Sequence, residues 1–300
     1  MWIKKLTTPA SDPSAASLVL RLTVIILLLR PMGPWWIGPF LLAVAVLALI
    51  FPRVLFAPAT WFGLAVLTAI RIIEDWPLAD NHIYLLAYWC LAIALALGSR
   101  NAIVVLRRSS RLLIGLAFLF AVIWKLVLSP DYIDGRFFRA TYLTDTRFEN
   151  VTMFVGGLTT DQLAESRNYL QPLPEGTVRT EVPRLHDAPS FTALVYFSTW
   201  STVLLEALCA FFFLFRFRDR SSIVPHVLLL MFCIGTYAVA AVPGFGWLLL
   251  TMGLASVDPE NRGLRAAYIT TWLLVLAYFF VPWVALFLDW VGYQWFAATP

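Results

Sequence analysis

Residues 80–128 read DNHIYLLAYWCLAIALALGSRNAIVVLRRSSRLLIGLAFLFAVIWKLVL, and this stretch decides the fold. Two apolar runs, 80–98 and 108–128, flank a turn that holds Arg100, Arg107, Arg108 and Arg111. About 20 apolar residues cross a bilayer as one α-helix. The pattern therefore predicts two membrane spans joined by a basic connection. The rest of the chain has the same texture. Of its 300 residues, 60% are hydrophobic and 13% charged, about half the ~25% charge of a soluble domain, and the mean hydropathy is +0.78. Further runs at 16–30, 35–51, 54–73, 190–215, 222–242, 243–257 and 264–290 bring the expectation to about nine spans in an all-α, polytopic membrane helix bundle. The run 243–257 is short and opens on Pro243-Gly244, which suggests a broken or re-entrant segment; Pro282 predicts a kink in the last run. A net charge of +4 is a small excess on so apolar a chain and excludes a nucleic-acid binder. Cys90, Cys209 and Cys233 are odd in number and lie inside apolar runs, which excludes a disulfide scaffold. With three dispersed histidines they form no ligand spacing, so no metal is expected.

Orientation follows from the basic residues near the span ends. Lys4 and Lys5, Arg53, the Arg100–Arg111 group, Arg216 with Arg218 and Arg220, and Arg262 with Arg265 all fall on one side if there are nine spans. The expected topology is N-terminus inside a bacterial cytoplasmic membrane. No small-residue cleavage site follows the first run, so it reads as an uncleaved helix. The other side receives Glu74, Asp75, Asp80 and the segment 129–189, an extracytoplasmic insert between bundle parts 1–128 and 190–300. That insert has nine acidic and six Arg residues, a net of −3. Tyr132, Phe137, Phe138, Tyr142, Phe148, Phe154 and Tyr169 give it aromatic surface to fold against the bundle. Thr159 with Gln162 is a capping-box pattern and predicts a short helix near 160–170. Gly156-Gly157 and Pro172-Leu173-Pro174 punctuate either side, and Asn150-Val151-Thr152 matches the glycosylation pattern.

Ionisable groups inside spans are expensive, so each is a functional candidate weighed against a structural role. Arg21 can snorkel to the inner surface. Glu206 lies ten residues from Arg216, about 15 Å deep at 1.5 Å per residue. It is either half of a structural pair, with Arg21 a possible partner, or a proton or ligand site. His226, next to Pro225, reads as an interfacial histidine and His186 as a solvated one. Asn81-His82 opens a span at the outer face, with Asp80 as the expected cap. Of 22 basic residues only Lys4, Lys5 and Lys125 are lysines. Lys125 lies one turn from the outer end of its span, where snorkelling explains it. A lysine partly desolvated there also sheds its proton more readily and serves as a base. His82 and Lys125 share that depth, beside Asp131 and Asp134 of the following turn.

These residues, in this order, resemble a known family. Asn81-His82-Ile83-Tyr84-Leu85 resembles the Asn-His-x-Tyr-Leu segment of vitamin K-dependent γ-glutamyl carboxylases and of their bacterial relatives with the horizontally transferred transmembrane (HTTM) domain. Lys125-Leu126, then Asp131-Tyr132-Ile133-Asp134-Gly135, is similar to that family's Lys-Leu and Asp-aromatic-x-x-Gly motifs, with two extra residues between them. Glu206 falls where the family has an acidic residue, and Pro225-His226 followed by Cys233-Ile234-Gly235 resembles its His and Ile-Gly helix. The resemblance implies that Lys125 is the base that deprotonates a vitamin K-type hydroquinone and that His82 orients the quinone oxygens. Asn81, Asp131, Glu206 and His226 become substrate-binding candidates, and the implied cofactor is a quinone or hydroquinone. It does not extend to the carboxylase's large soluble C-terminal portion, so a quinone-sized apolar pocket is implied more than protein carboxylation. The expected partners are the lipid bilayer and a lipophilic quinone-like substrate. A second class is open: a non-catalytic membrane partner whose insert docks an extracytoplasmic protein during maturation or assembly. A proton-coupled transporter using Glu206 is the third, though the chain lacks the inverted repeats many transporters show.

Overall fold

The computed structural model describes residues 13–29, 34–77, 80–171, 175–176, 178, 185–215, 223–239, 242, 244–281 and 283–290. Among them every regular element is helical: α1 (Pro13–Leu29), α2 (Gly38–Ile50), α3 (Pro52–Leu55), α4 (Pro58–Glu74), α5 (Asn81–Gly98) and α6 (Ala102–Ile123). A π-helical turn (Trp124–Leu128) prolongs α6. Then come α7 (Pro130–Ile133), α8 (Arg136–Thr144), a 3-10 turn (Thr146–Phe148), α9 (Glu149–Phe154) and α10 (Thr160–Leu170). The chain closes with α11 (Pro189–Leu214), α12 (Val224–Val239), α13 (Phe245–Ser256), α14 (Arg262–Phe280) and α15 (Trp283–Trp290). Proline sets several starts: α2, α3, α4, α7 and α11 each carry one in the first turn. There its missing N–H removes no helical bond, and its fixed φ favours the helix.

Among the described residues four helical stretches are long and apolar enough to cross a membrane: Asn81–Gly98, Ala102–Leu128, Pro189–Leu214 and Arg262–Phe280. Shorter apolar helices occupy Ala16–Leu29, Gly38–Ile50, Val224–Val239 and Phe245–Ser256. The stretch 108–128 begins earlier than its apolar run suggests. Arg107, Arg108 and Arg111 lie on the first turns of α6, not in a loop. The last run is broken as expected, α14 ending at Phe280 and α15 starting at Trp283; Pro282 itself lies outside the described residues. So do Lys4, Lys5, Arg216, Arg218, Arg220, Pro172-Leu173-Pro174 and Pro243, and with them part of the charge pattern.

The short run 243–257 becomes the hub. In α13 every residue from Gly246 to Ser256 except Ala255 is buried, and the helix packs on α1, α6, α12 and α14. A helix apolar on every side fits only where neighbours surround it. Gly253 permits the closest approach, since a Cβ there would overlap the ring of Tyr268 on α14. Hydrogen bonds stitch this core from side chain to side chain and to backbone: Trp89 Nε1 donates to Thr23 Oγ1 at 3.0 Å, and Ser110 Oγ donates to the Met252 carbonyl. Cys90, Cys209 and Cys233 are free and buried.

The bundle has two distinguishable ends. At one, Arg107 meets Asp258 at 3.3 Å, bringing the α5–α6 and α13–α14 turns together. At the other, the segment 130–170 folds on the beginning of α11. Tyr142, Leu143, Leu158 and Leu163 form a second core with Phe191, Leu194 and Val195. The capping box is present in full, with Gln162 N donating to Thr159 Oγ1 at 3.3 Å and Thr159 N to Gln162 Oε1 at 2.9 Å. Two expectations for this segment change. Thr152 of the glycosylation pattern is fully buried and donates to the Phe148 carbonyl at 2.9 Å, so its hydroxyl is not presented to solvent. His186 is not simply solvated, because Nε2 lies 2.6 Å from Glu165 Oε2.

Candidate functional site

The site is built where α6 gives way to the π turn. A turn closed i→i+5 takes in one residue more than an α-turn, and such turns recur at functional sites. Lys125 is its second residue. Its side chain does not run outward along the helix but sideways to α11, where Nζ lies 2.5 Å from both Oε1 and Oε2 of Glu206. The two side chains are 16% and 7% exposed. The antiparallel packing of α6 on α11 explains the meeting. A Cβ on Gly115 would come within 2.6 Å of Leu214 Cγ, which locks the two helices at that level. Ten residues further along α6 is Lys125, and eight residues back along α11 is Glu206.

A third side chain closes the pair. Pro130 starts α7 directly after the π turn, and Tyr132 turns back so that Lys125 Nζ stands 5.1 Å from its ring centroid. Tyr132 is 5% exposed. Burial, and then the Glu206 charge, push its phenol well above the usual tyrosine range, so it stays a neutral hydroxyl. Tyr132 also stacks on Phe137 at 5.1 Å and meets Phe138 edge-on at 5.6 Å, which ties it to the second core.

The remaining candidates lie elsewhere. The partner of Glu206 is Lys125 and not Arg21, whose Nε donates to Ser17 Oγ at 3.3 Å. His82 is held by Asp80, with Nε2 3.3 Å from Oδ2, and its ring lies 6.4 Å from that of Phe245 at the start of α13. Asp80 occupies the N-cap position of α5 without a side-chain cap bond, because its carboxylate is turned to His82; Asn81 is exposed beside it. Asp131 is exposed and bound at 2.5 Å by Arg136, which also takes Asp134 at 2.7 Å. The backbone N–H and guanidinium of Arg136 hold the Asp134 carboxyl below its ordinary range. His226 faces its neighbours and not the outside of the bundle. It is 6% exposed, with Nδ1 3.0 Å from the Tyr268 hydroxyl and its ring edge-on to Phe213. It belongs to the α12–α14 contact, away from Lys125.

Sequence reasoning missed Tyr132 as a partner of Lys125, although the residue stands in the Asp-aromatic-x-x-Gly motif. Nothing in the sequence joins positions 125 and 206. Two cavities, of about 30 and 10 Å³, lie beside Ala16, Ile103 and Leu106 near the opposite end of α6. Trp124, Val127 and Leu128 of the π turn are exposed, as are Phe197 and Leu204 on the side of α11 opposite Glu206. Comparison with family models, with curated proteins and with solved structures finds no match.

Proposed function

We propose that this chain is an integral membrane protein of the HTTM, carboxylase-like kind, whose working centre is the Lys125–Glu206 pair and whose substrate is a lipophilic, quinone-like molecule arriving from the bilayer. The observation that carries this reading is the pair itself: an ammonium and a carboxylate held at 2.5 Å among apolar helices. Taking two charges out of water is costly, and such a pair contributes little net stability compared with apolar residues of the same volume. A reactive role gives the charges a purpose that packing does not. Passing a proton from Nζ to Glu206 leaves a neutral amine, which takes the hydroxyl proton of a hydroquinone. The substrate anion then forms next to a site already built around charge. In this reading the segment 129–189 is extracytoplasmic, the N-terminus is inside, and His82 and Asp131 act outside the immediate pair.

The test is turnover in reconstituted vesicles supplied with a short-chain naphthohydroquinone and O₂, which together yield the epoxide and water. Wild-type protein produces epoxide, whereas Lys125→Met and Lys125→Arg lose about 100-fold or more, since arginine does not deprotonate in proteins. Wild-type rates in both variants would end the base assignment. A second reading, a non-catalytic partner that docks another protein, draws on the separate core around Tyr142 and Phe191. Under it, deleting 140–170 abolishes the cellular phenotype while Lys125→Met leaves it intact.

A further inference from the structure

The Lys125 ammonium has two faces occupied. Glu206 from α11 supplies the charge and Tyr132 from α7 supplies a ring face at 5.1 Å. Among the described residues these are the titratable groups that face Nζ; the nearby Arg136 is turned to Asp131 and Asp134. The ring is not placed by α7 alone, a helix of four residues. It is pinned by the Phe137 and Phe138 rings, and the aromatic chain continues from Phe138 to Tyr142 at 5.6 Å. Tyr142 is anchored in turn by its hydroxyl, 2.6 Å from Ser198 Oγ on α11. An unbroken line of rings thus runs from the core of segment 130–170 to the amine.

We propose that Tyr132 is the positioning residue of the Lys125–Glu206 pair: its ring face holds the Lys125 ammonium on Glu206 and makes the pair responsive to the fold of segment 130–170. This rests on the reading of that pair as the working centre. A cation over an aromatic face is attracted by the ring quadrupole, and more strongly where both are desolvated. Tyr132 therefore holds the ammonium in place on Glu206, and Nζ is released to other partners when the ring withdraws. Because the ring belongs to the segment 130–170 and the amine to the bundle, loosening that segment is felt at Nζ.

The chain's three lysines make this measurable without any turnover assay. Purified full-length protein in detergent is pulsed with an amine-acylating reagent, and modification of Lys125 is read by mass spectrometry against Lys4 and Lys5 as internal standards. Position 132 is varied from tyrosine to phenylalanine and then to phenylalanines with successive ring fluorines, which drain the ring face while keeping its shape. The expected result is Tyr132→Phe within about twofold of wild type, then a stepwise rise across the fluorinated series reaching about three- to tenfold. A merely space-filling ring gives a flat series, and that result overturns the proposal. Labelling does not read epoxide formation, so a flat series overturns the role of Tyr132 alone, and a failed turnover assay overturns the base assignment alone.

Discussion

At the scale of single residues, the proposed chemistry rests on a lysine and a glutamate that lie 81 positions apart. Each was legible alone as an expensive charge in an apolar run, but their meeting was not. Periodicity places a residue on a face and at a depth. It does not say which face of which other helix stands opposite, so Arg21 was an equally reasonable partner. The energetics give a sharp expectation. Removing one partner of a buried pair strands the other charge and costs about 3–5 kcal/mol, while replacing both by apolar side chains of similar size is close to neutral. Glu206→Gln and Lys125→Met should each lower the melting temperature in detergent, and Lys125→Met/Glu206→Met should recover most of the loss. Equal melting of all three would mean the pair is open to water. Elsewhere, Gly253→Ala should cost about 1–3 kcal/mol, because the added carbon meets the Tyr268 ring held by His226; thermal melting of that variant checks it.

At the scale of elements, the legible parts were those with local chemistry. Thr159 and Gln162 predicted the start of α10, and both halves of the box are made. Thr159→Ala should destabilise that helix by about 1 kcal/mol, read as faster amide exchange confined to 160–170. The illegible parts needed tertiary information. The π turn after α6 leaves no compositional mark. Likewise the run 190–215 looks like one uniform span. The structure instead gives its first turns to the core of segment 130–170, through Phe191, Leu194 and Val195. Apolar residues facing a small aromatic core and apolar residues facing lipid look identical in a sequence.

At the scale of the whole molecule, composition was a sound guide to class: among the described residues four helical stretches are long and apolar enough to cross a membrane. The expected number of spans was harder, because α13 at 12 residues is buried among neighbours where a sequence shows only an apolar run. The topology is open to direct measurement. With the native cysteines buried, Thr160→Cys should react with a membrane-impermeant maleimide added to intact cells, and Glu260→Cys should react only after lysis. The reverse pattern would invert the orientation inferred from the arginine clusters. Whether the Lys125–Glu206 pair exists for chemistry and not for packing is tested most directly by one comparison. It is the rate of hydroquinone epoxidation by reconstituted Lys125→Met/Glu206→Met against wild type, at equal melting temperature. If the pair is the working centre, the double variant is folded and turns over at least about 100-fold more slowly; a folded double variant with the wild-type rate would contradict it.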